Sequence, residues 1–305
     1  MTAAAAPAIV RLTRDDPLFP RSLLVLREPP EALYALGDVS LLGRRMVAIV
    51  GSRTPTTYGS RVAYQAAQAA ARAGLVVVSG MARGLDTRAH RGALDAGGKT
   101  IAVLGSGVDE PYPRSNRDLY AGVRAAGLVV SEQEPGTTPH QGSFPQRNRI
   151  IAGLAECLLV VEGRIKGGTS NTAEWMLKCG KPVLAVPGRI EDEVAQNPNQ
   201  LISEGATPYL GPHSLLDQFG IPWDGVQEAE RRAEAAQLDA LLGTSAELLG
   251  AEAAVFDVLT AQPVHVDAIA ARTALEPATL LAALSSLEIK GLATQLAGKH
   301  FALAS

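Results

Sequence analysis

At 305 residues the chain has room for about two domains and a sizeable core, and its 47% hydrophobic and 19% charged content is that of an ordinary globular protein. A net charge of only -3 excludes a chain that is basic throughout, so any nucleic-acid site must be a local patch. The two cysteines, Cys157 and Cys179, lie in the apolar contexts AECLLVV and MLKCGK; this excludes a disulfide scaffold, and both read as reduced core residues.

The first residues, MTAAAAPAIVRL, lack a charged leading region and do not read as a secretion signal. No window approaches the roughly 18 consecutive apolar residues of a membrane span, so a cytoplasmic location is expected. Residues 1–40 form a lead-in segment with two proline clusters around a short apolar helix, expected to pack on the edge of the main domain. From residue 46 short β-branched runs alternate with helical patterns. MVAIV, LVVVS, TIAVL, LVVSE, CLLVVEG and PVLAVPG are the strands. YGSRVAYQAAQAAARAG, LDTRAHRGALDAG and NRDLYAGVRAAG are helices that end near glycine. Continuous apolar strands alternating with helices predict a parallel sheet covered on both faces, a doubly wound, Rossmann-like α/β domain over 41–212. Strand order is not legible. After residue 212 the texture becomes Ala-rich and charged, which reads as a linker over 213–249. The tail, 250–305, gives three short helices and two strands around Ala297-Gly298, a winged-helix pattern.

One stretch breaks a rule. FPQRNRIIAGLAE opens a helix at Pro145, yet its first turns carry Arg147 and Arg149, where the positive end of the helix dipole disfavours cations by roughly 0.3–1 kcal/mol each. One resolution is an anion supplied from outside. In open α/β sheets ligands bind beyond the carboxyl ends of the strands, and the loops there are rich in small residues and arginine. They hold Gly51, Ser52 and Arg53 after the first strand, and Arg83 and Gly84 after the second. The helix of Phe144, Arg147, Asn148 and Arg149 follows the fourth, and Gly168, Thr169, Ser170, Asn171 and Thr172 follow the fifth. Small residues let backbone N–H groups approach a phosphate, and guanidinium groups add charge and bidentate geometry. The set predicts a phosphate-binding rim.

A nicotinamide cofactor is discounted. GSRTPTTYG lacks the G-x-G-x-x-G spacing, and the second strand ends in Ser79-Gly80 with no carboxylate for a ribose. GGKT at 97–100 is only half of a Walker A loop. The five histidines show no ligand spacing, so no metal is expected. No cofactor is expected either. A basic groove with an aromatic stacking surface suits single-stranded nucleic acid. Phe144 is either the stacking ring or a core residue. Lys178 either reaches the same groove or is an ordinary surface lysine.

Six motifs in order carry a family resemblance. They are Gly51-Ser52-Arg53 with Tyr58-Gly59, SGMARGLDTRAH, GSGVDEPYP, SEQEPG, FPQRNRIIAGL and AVPG. Together, over roughly 10–210, the chain resembles the DprA/Smf DNA-processing family. The resemblance implies a cytoplasmic, homodimeric single-stranded DNA-binding protein of natural transformation that protects incoming strands and helps load the RecA recombinase. It implies contacts from Arg53, Phe144, the arginines of FPQRNR, the 168–172 loop and Lys178. The chain departs from the family in four places. It is expected to lack the helix-hairpin-helix-like N-terminal domain many members carry, Gln141 stands where relatives often carry lysine, and the segments GGTSNTAEW and NPNQLISEGA are atypical. In the winged-helix-like tail the expected recognition helix offers only Lys290 as a base and carries Glu288, so protein contacts are expected of it rather than duplex reading. The weighed alternative is a nucleotide phosphoribohydrolase, because Gly167, Gly168, Thr169 and Glu174 resemble PGGxGTxxE with broken spacing. Asp86 or Glu132 would then supply acid–base chemistry.

Overall fold

The computed structural model describes residues 8–140, 142–228, 250–260, 262–296 and 298–303. The rest of the expected linker, 229–249, as well as Gln141 and Ala297, lie outside the described residues. The chain divides into two compact units, Met1–Gln227 and Glu228–Ser305.

The first unit is built on a nine-stranded sheet. Its strands are β1 (Val10–Thr13), β2 (Ala32–Gly37), β3 (Met46–Val50), β4 (Val76–Ser79), β5 (Thr100–Val103), β6 (Leu128–Ser131), β7 (Cys157–Val160), β8 (Val183–Ala185) and β9 (Thr207–Pro208). The spatial order is β1-β2-β6-β5-β4-β3-β7-β8-β9. From β6 to β9 every pair is parallel, whereas β2 pairs antiparallel with both β1 and β6. The lead-in segment therefore joins the sheet edge as two strands, and the short helix expected between its proline clusters is a single 3-10 turn, Arg21–Leu23.

The unbroken apolar runs are explained by burial on both faces. In β3, Met46, Ala48 and Val50 pack into one core layer, while Val47 and Ile49 pack into the other. The first layer is covered by α4 (Ser143–Leu154), by α5 (Gly168–Lys178) and by the lead-in residues Phe19, Leu23 and Leu26. The second is covered by α1 (Thr57–Arg72) and α2 (Leu85–Asp95), whose facing alanines Ala63, Ala67, Ala89 and Ala93 are fully buried. α3 (Arg117–Ala126) fills the corner beside β5 and β6, α6 (Gln196–Ser203) follows β8, and the short α7 (Pro212–Leu216) follows β9. Leu215, Leu216, Phe219 and Val226 pack into the second layer, so residues 213–227 belong to the first unit and not to a linker.

His90 of α2 is fully buried against β5. Its Nδ1 lies 2.7 Å from Thr100 Oγ1, whose proton goes to Val77 O, and its Nε2 has no partner among the described residues. Burial, with a smaller contribution from the Arg147 charge, lowers its pKa from 6.5 to about 3. Below pH 6.5 the unfolded chain takes up a proton that the folded chain refuses. Stability from this group is therefore complete above that pH and falls by up to about 1.4 kcal/mol per pH unit toward pH 3. Urea unfolding between pH 7 and pH 4 checks this: His90→Gln flattens the decline, and equal slopes refute it.

The second unit has its own core of Val255, Leu259, Ile269, Leu280, Leu284, Leu287 and Phe301. Residues 250–256 are helical, followed by helices Val266–Thr273 and Pro277–Ile289. Strand His300–Leu303 lies between Val264–His265 and Ala293–Leu296, antiparallel to both. Three helices and a three-stranded wing sheet make this a winged-helix fold. On Pro277–Ile289, Leu280, Ala283, Leu284 and Leu287 face inward, while Leu281 and Ile289 are exposed. Lys290 is tied to Glu252.

Candidate nucleic-acid interface

The strand order creates a switch point. From β3 the chain winds outward through β4, β5 and β6, then returns to β7 on the other side of β3. The loops that leave β3 and β7 must therefore diverge, and the gap beyond their carboxyl ends is where open α/β sheets place ligands. Here the gap is a cavity of about 470 Å³. The β3 loop contributes Gly51, Ser52 and Arg53, and the β7 loop contributes Gly163, Arg164 and Gly167.

Two helices begin at this cavity. α5 starts after Gly167, and its first turn contributes Gly168, Thr169 and Thr172. α4 contributes Phe144, Pro145, Arg147 and Asn148. Among the described residues no side chain caps either helix start, which leaves their positive ends available to an anion. Asn148 ties the two helices together, its Nδ2 donating to Gly168 O and to Asn171 Oδ1, both at 3.2 Å. The third helix start is closed. The carboxylate of Glu162 accepts hydrogen bonds from the Thr56 N–H and hydroxyl and lies against Gly59 in the first turn of α1. In a dinucleotide-binding fold that turn after the first strand is where the pyrophosphate sits. Here a buried side chain fills it.

The arginines separate into different roles. Arg147 is 5% exposed and donates from Nη1 to Val103 O at 2.7 Å, while its buried Nε has no partner among the described residues. Its guanidinium lies over Gly80, where an added Cβ would come within 1.7 Å of Nη1, so only glycine permits this approach. Asp86, also buried, faces it and accepts from the amides of Gly80 and Ala82 at 3.1 and 3.2 Å. Burial lowers the Arg147 pKa to about 10; Asp86 opposes that shift and Arg53 adds to it, so the group stays charged at neutral pH. Burial likewise raises the Asp86 pKa, against the pull of Arg147.

Arg149 does not join the cavity. Its Nη1 and Nη2 grip both oxygens of Glu132 at 2.7 and 2.6 Å, and its Nε donates to Glu28 O. The anion that offsets this cation comes from inside the chain, and the expectation that Arg149 contacts an external ligand is corrected.

Arg53 is exposed and stands 5.6 Å from the centre of the Phe144 ring. That ring is half-buried rather than part of the core, and Tyr112 packs on it at 5.4 Å.

Of the other expected residues, Arg83 is exposed and does not line the cavity. Gly84, at φ 79°, backs onto the first loop, where a Cβ would lie 2.3 Å from Ser52 O, so its role is to let the loops pack. Ser170 donates to Arg164 O at 3.4 Å and Asn171 pairs with Asn148, both beside the cavity rather than in it. Lys178 is at the far end of α5, ten residues and about 15 Å from its start, over Trp175 and near Glu174. It falls outside the groove as a surface lysine. Arg164 was missed, although the strand-end rule that selected Arg53 also covers it. It is exposed and paired with Glu193 at 2.7 Å. Tyr112, the partner of Phe144, lies on a loop with no local signal for stacking. Among the described residues no three His, Cys, Asp or Glu side chains lie together as a metal cluster.

Comparison with known proteins matches this architecture. The family model for DNA recombination-mediator protein A covers residues 10–220, and that for the DprA winged helix domain covers 232–299. A protein named Smf from Synechocystis is 37% identical over 95% of this chain and 79% of its own length. The DNA processing protein DprA of Bacillus subtilis is 38% identical over 70% of this chain and 71% of its own. Among solved structures, DprA from Streptococcus pneumoniae superposes with a TM-score of 0.66 at 37% identity, covering 68% of this chain and 74% of that one. DprA from Helicobacter pylori, described for a single-stranded DNA binding mode, superposes with a TM-score of 0.63 at 30% identity, covering 69% and 95%. With the switch-point sheet, the motif order and the C-terminal winged helix all accounted for, the chain belongs to the DNA recombination-mediator protein A (DprA/Smf) family.

Proposed function

We propose that this protein binds single-stranded DNA in the switch-point cavity. The observation that carries the reading is the convergence of Arg53, stacked on the half-exposed Phe144, with the uncapped starts of α4 and α5 around buried Arg147. Phosphates engage Arg53, Arg164 and the backbone of Gly51–Ser52 and Gly168–Thr169, with Thr172 on the cavity wall, and a base stacks on Phe144. Arg147 supplies positive potential from below, and Asn148 ties the floor together.

Membership of a recombination-mediator family supports the further reading that the bound strand is protected and passed to RecA in transformation, by a cytoplasmic homodimer. No helix among the described residues is long and apolar enough to cross a membrane. We assign no catalytic step. Asp86 is held by two backbone amides, Glu132 is committed to Arg149, and Glu174 pairs weakly with Lys178 on the exposed side of α5.

Oligo-dT binding across a salt series tests the assignment. Affinity is expected to fall by about 0.7 log unit per log unit of salt for each phosphate engaged. Phe144→Ala is expected to lower affinity by about 1–3 kcal/mol with little change in that slope. An unchanged affinity removes the stacking role. Release of free base from nucleoside monophosphates would instead favour the phosphoribohydrolase reading.

A further inference from the structure

A second cavity, of about 550 Å³, opens at the carboxyl ends of β7 and β8 beside the start of α1. It abuts the first: Glu162 lines it and the next residue, Gly163, lines the other, and consecutive Cα atoms are only about 3.8 Å apart. Two of the segments that carried the family resemblance have no part in the first cavity and meet here. Tyr58 forms one side, and Val186, Pro187 and Gly188 form the opposite side.

The chemistry of the two cavities differs. The first gathers guanidinium groups and helix starts. In the second the walls are Val161, Val186, Pro187 and Val194, and one cation, Arg189, stands among two lining carboxylates, Glu162 and Asp192. Arg189 at the rim is near Glu191 at 3.6 Å and shares the cavity with Asp192. Glu162 is committed to Thr56. The excess of carboxylate over guanidinium in this lining disfavours a phosphate. The Tyr58 ring is 45% exposed at the rim, its hydroxyl directed to Pro187 O at 3.4 Å. A flat ring with an apolar face and a polar edge suits such a cavity.

We propose that this cavity is a nucleobase subsite, in which a base of the strand held in the first cavity stacks on Tyr58. The inference rests on the strand-binding reading above and extends the footprint past the carboxyl end of β7. Photocrosslinking of the intact protein to oligo-dT carrying one 5-iodouracil tests it, together with affinities of dodecamer and trimer for Tyr58→Ala and Tyr58→Phe. The expected results are a crosslink in the tryptic peptide 54–61 and a loss of about tenfold or more in dodecamer affinity for Tyr58→Ala. The salt slope stays the same, trimer binding is unchanged, and Tyr58→Phe keeps wild-type affinity. Absence of either the crosslink or the loss overturns the subsite. If Phe144→Ala and Arg53→Glu weaken binding while Tyr58→Ala does not, only this subsite fails. If wild type does not bind, the strand-binding reading fails and the subsite with it.

Discussion

Arg149→Met is expected to lower the stability of the first unit by about 3–5 kcal/mol, the cost of leaving one member of a buried ion pair without its partner. The side chains of Arg149 and Glu132 are only 5% and 12% exposed, and the pair is bidentate. Removing the guanidinium strands the Glu132 carboxylate and also releases Glu28 O, which ties the lead-in segment to α4. Urea unfolding of the single and double variants measures this. Arg149→Met combined with Glu132→Leu is expected to be less destabilised than the sum of the two, because neither charge is then left alone. The folded fraction of Arg149→Met is expected to bind oligo-dT as wild type does. A loss of binding with intact stability would put Arg149 back among the strand contacts.

Arg53→Glu is expected to behave in the opposite way. The side chain is exposed, so stability is expected to change by no more than about 0.5 kcal/mol. Single-strand affinity is expected to fall about ten- to hundredfold for all sequences alike, since a charge-assisted contact of roughly 1.5–3 kcal/mol is lost and a like charge faces the phosphate. The salt slope is expected to shrink by about 0.7 for the lost contact. Wild-type affinity in this variant would show that the strand does not pass the β3 loop.

Much of this was readable from residue order. Six of the nine strands were visible because burial on both faces leaves no polar residue to interrupt them, as in MVAIV. β1 and β2 were not, since Arg11 interrupts VRLT, which is buried only at Leu12, and ALYALG sits between prolines and a tight turn. β9 has only two residues. Sequence order carries no record of which strands become neighbours, so the switch between β3 and β7 had to come from the structure. Composition drew attention to the loops after β3, β4, β6 and β7, and the structure brings Arg53, Phe144 and Gly168 from three of them to one cavity. It could not separate Arg147 from Arg149, two residues apart on one helix. About 200° of rotation separates them, which sends one toward the cavity and the other toward Glu132. Nor could it show that Glu132, 17 residues upstream, would be the counterion.

Glu162 has a further consequence. Cells hold abundant free nucleotides, and a fold of this kind offers them a natural berth at its first helix. With that berth occupied by the chain's own carboxylate, a lone nucleotide gains no foothold there and must rely on the few donors at α4 and α5. A polymer, engaging several of those donors at once, multiplies its hold where a monomer cannot, so under the proposed strand binding a preference for strands over the nucleotide pool is expected without any contact that inspects sequence.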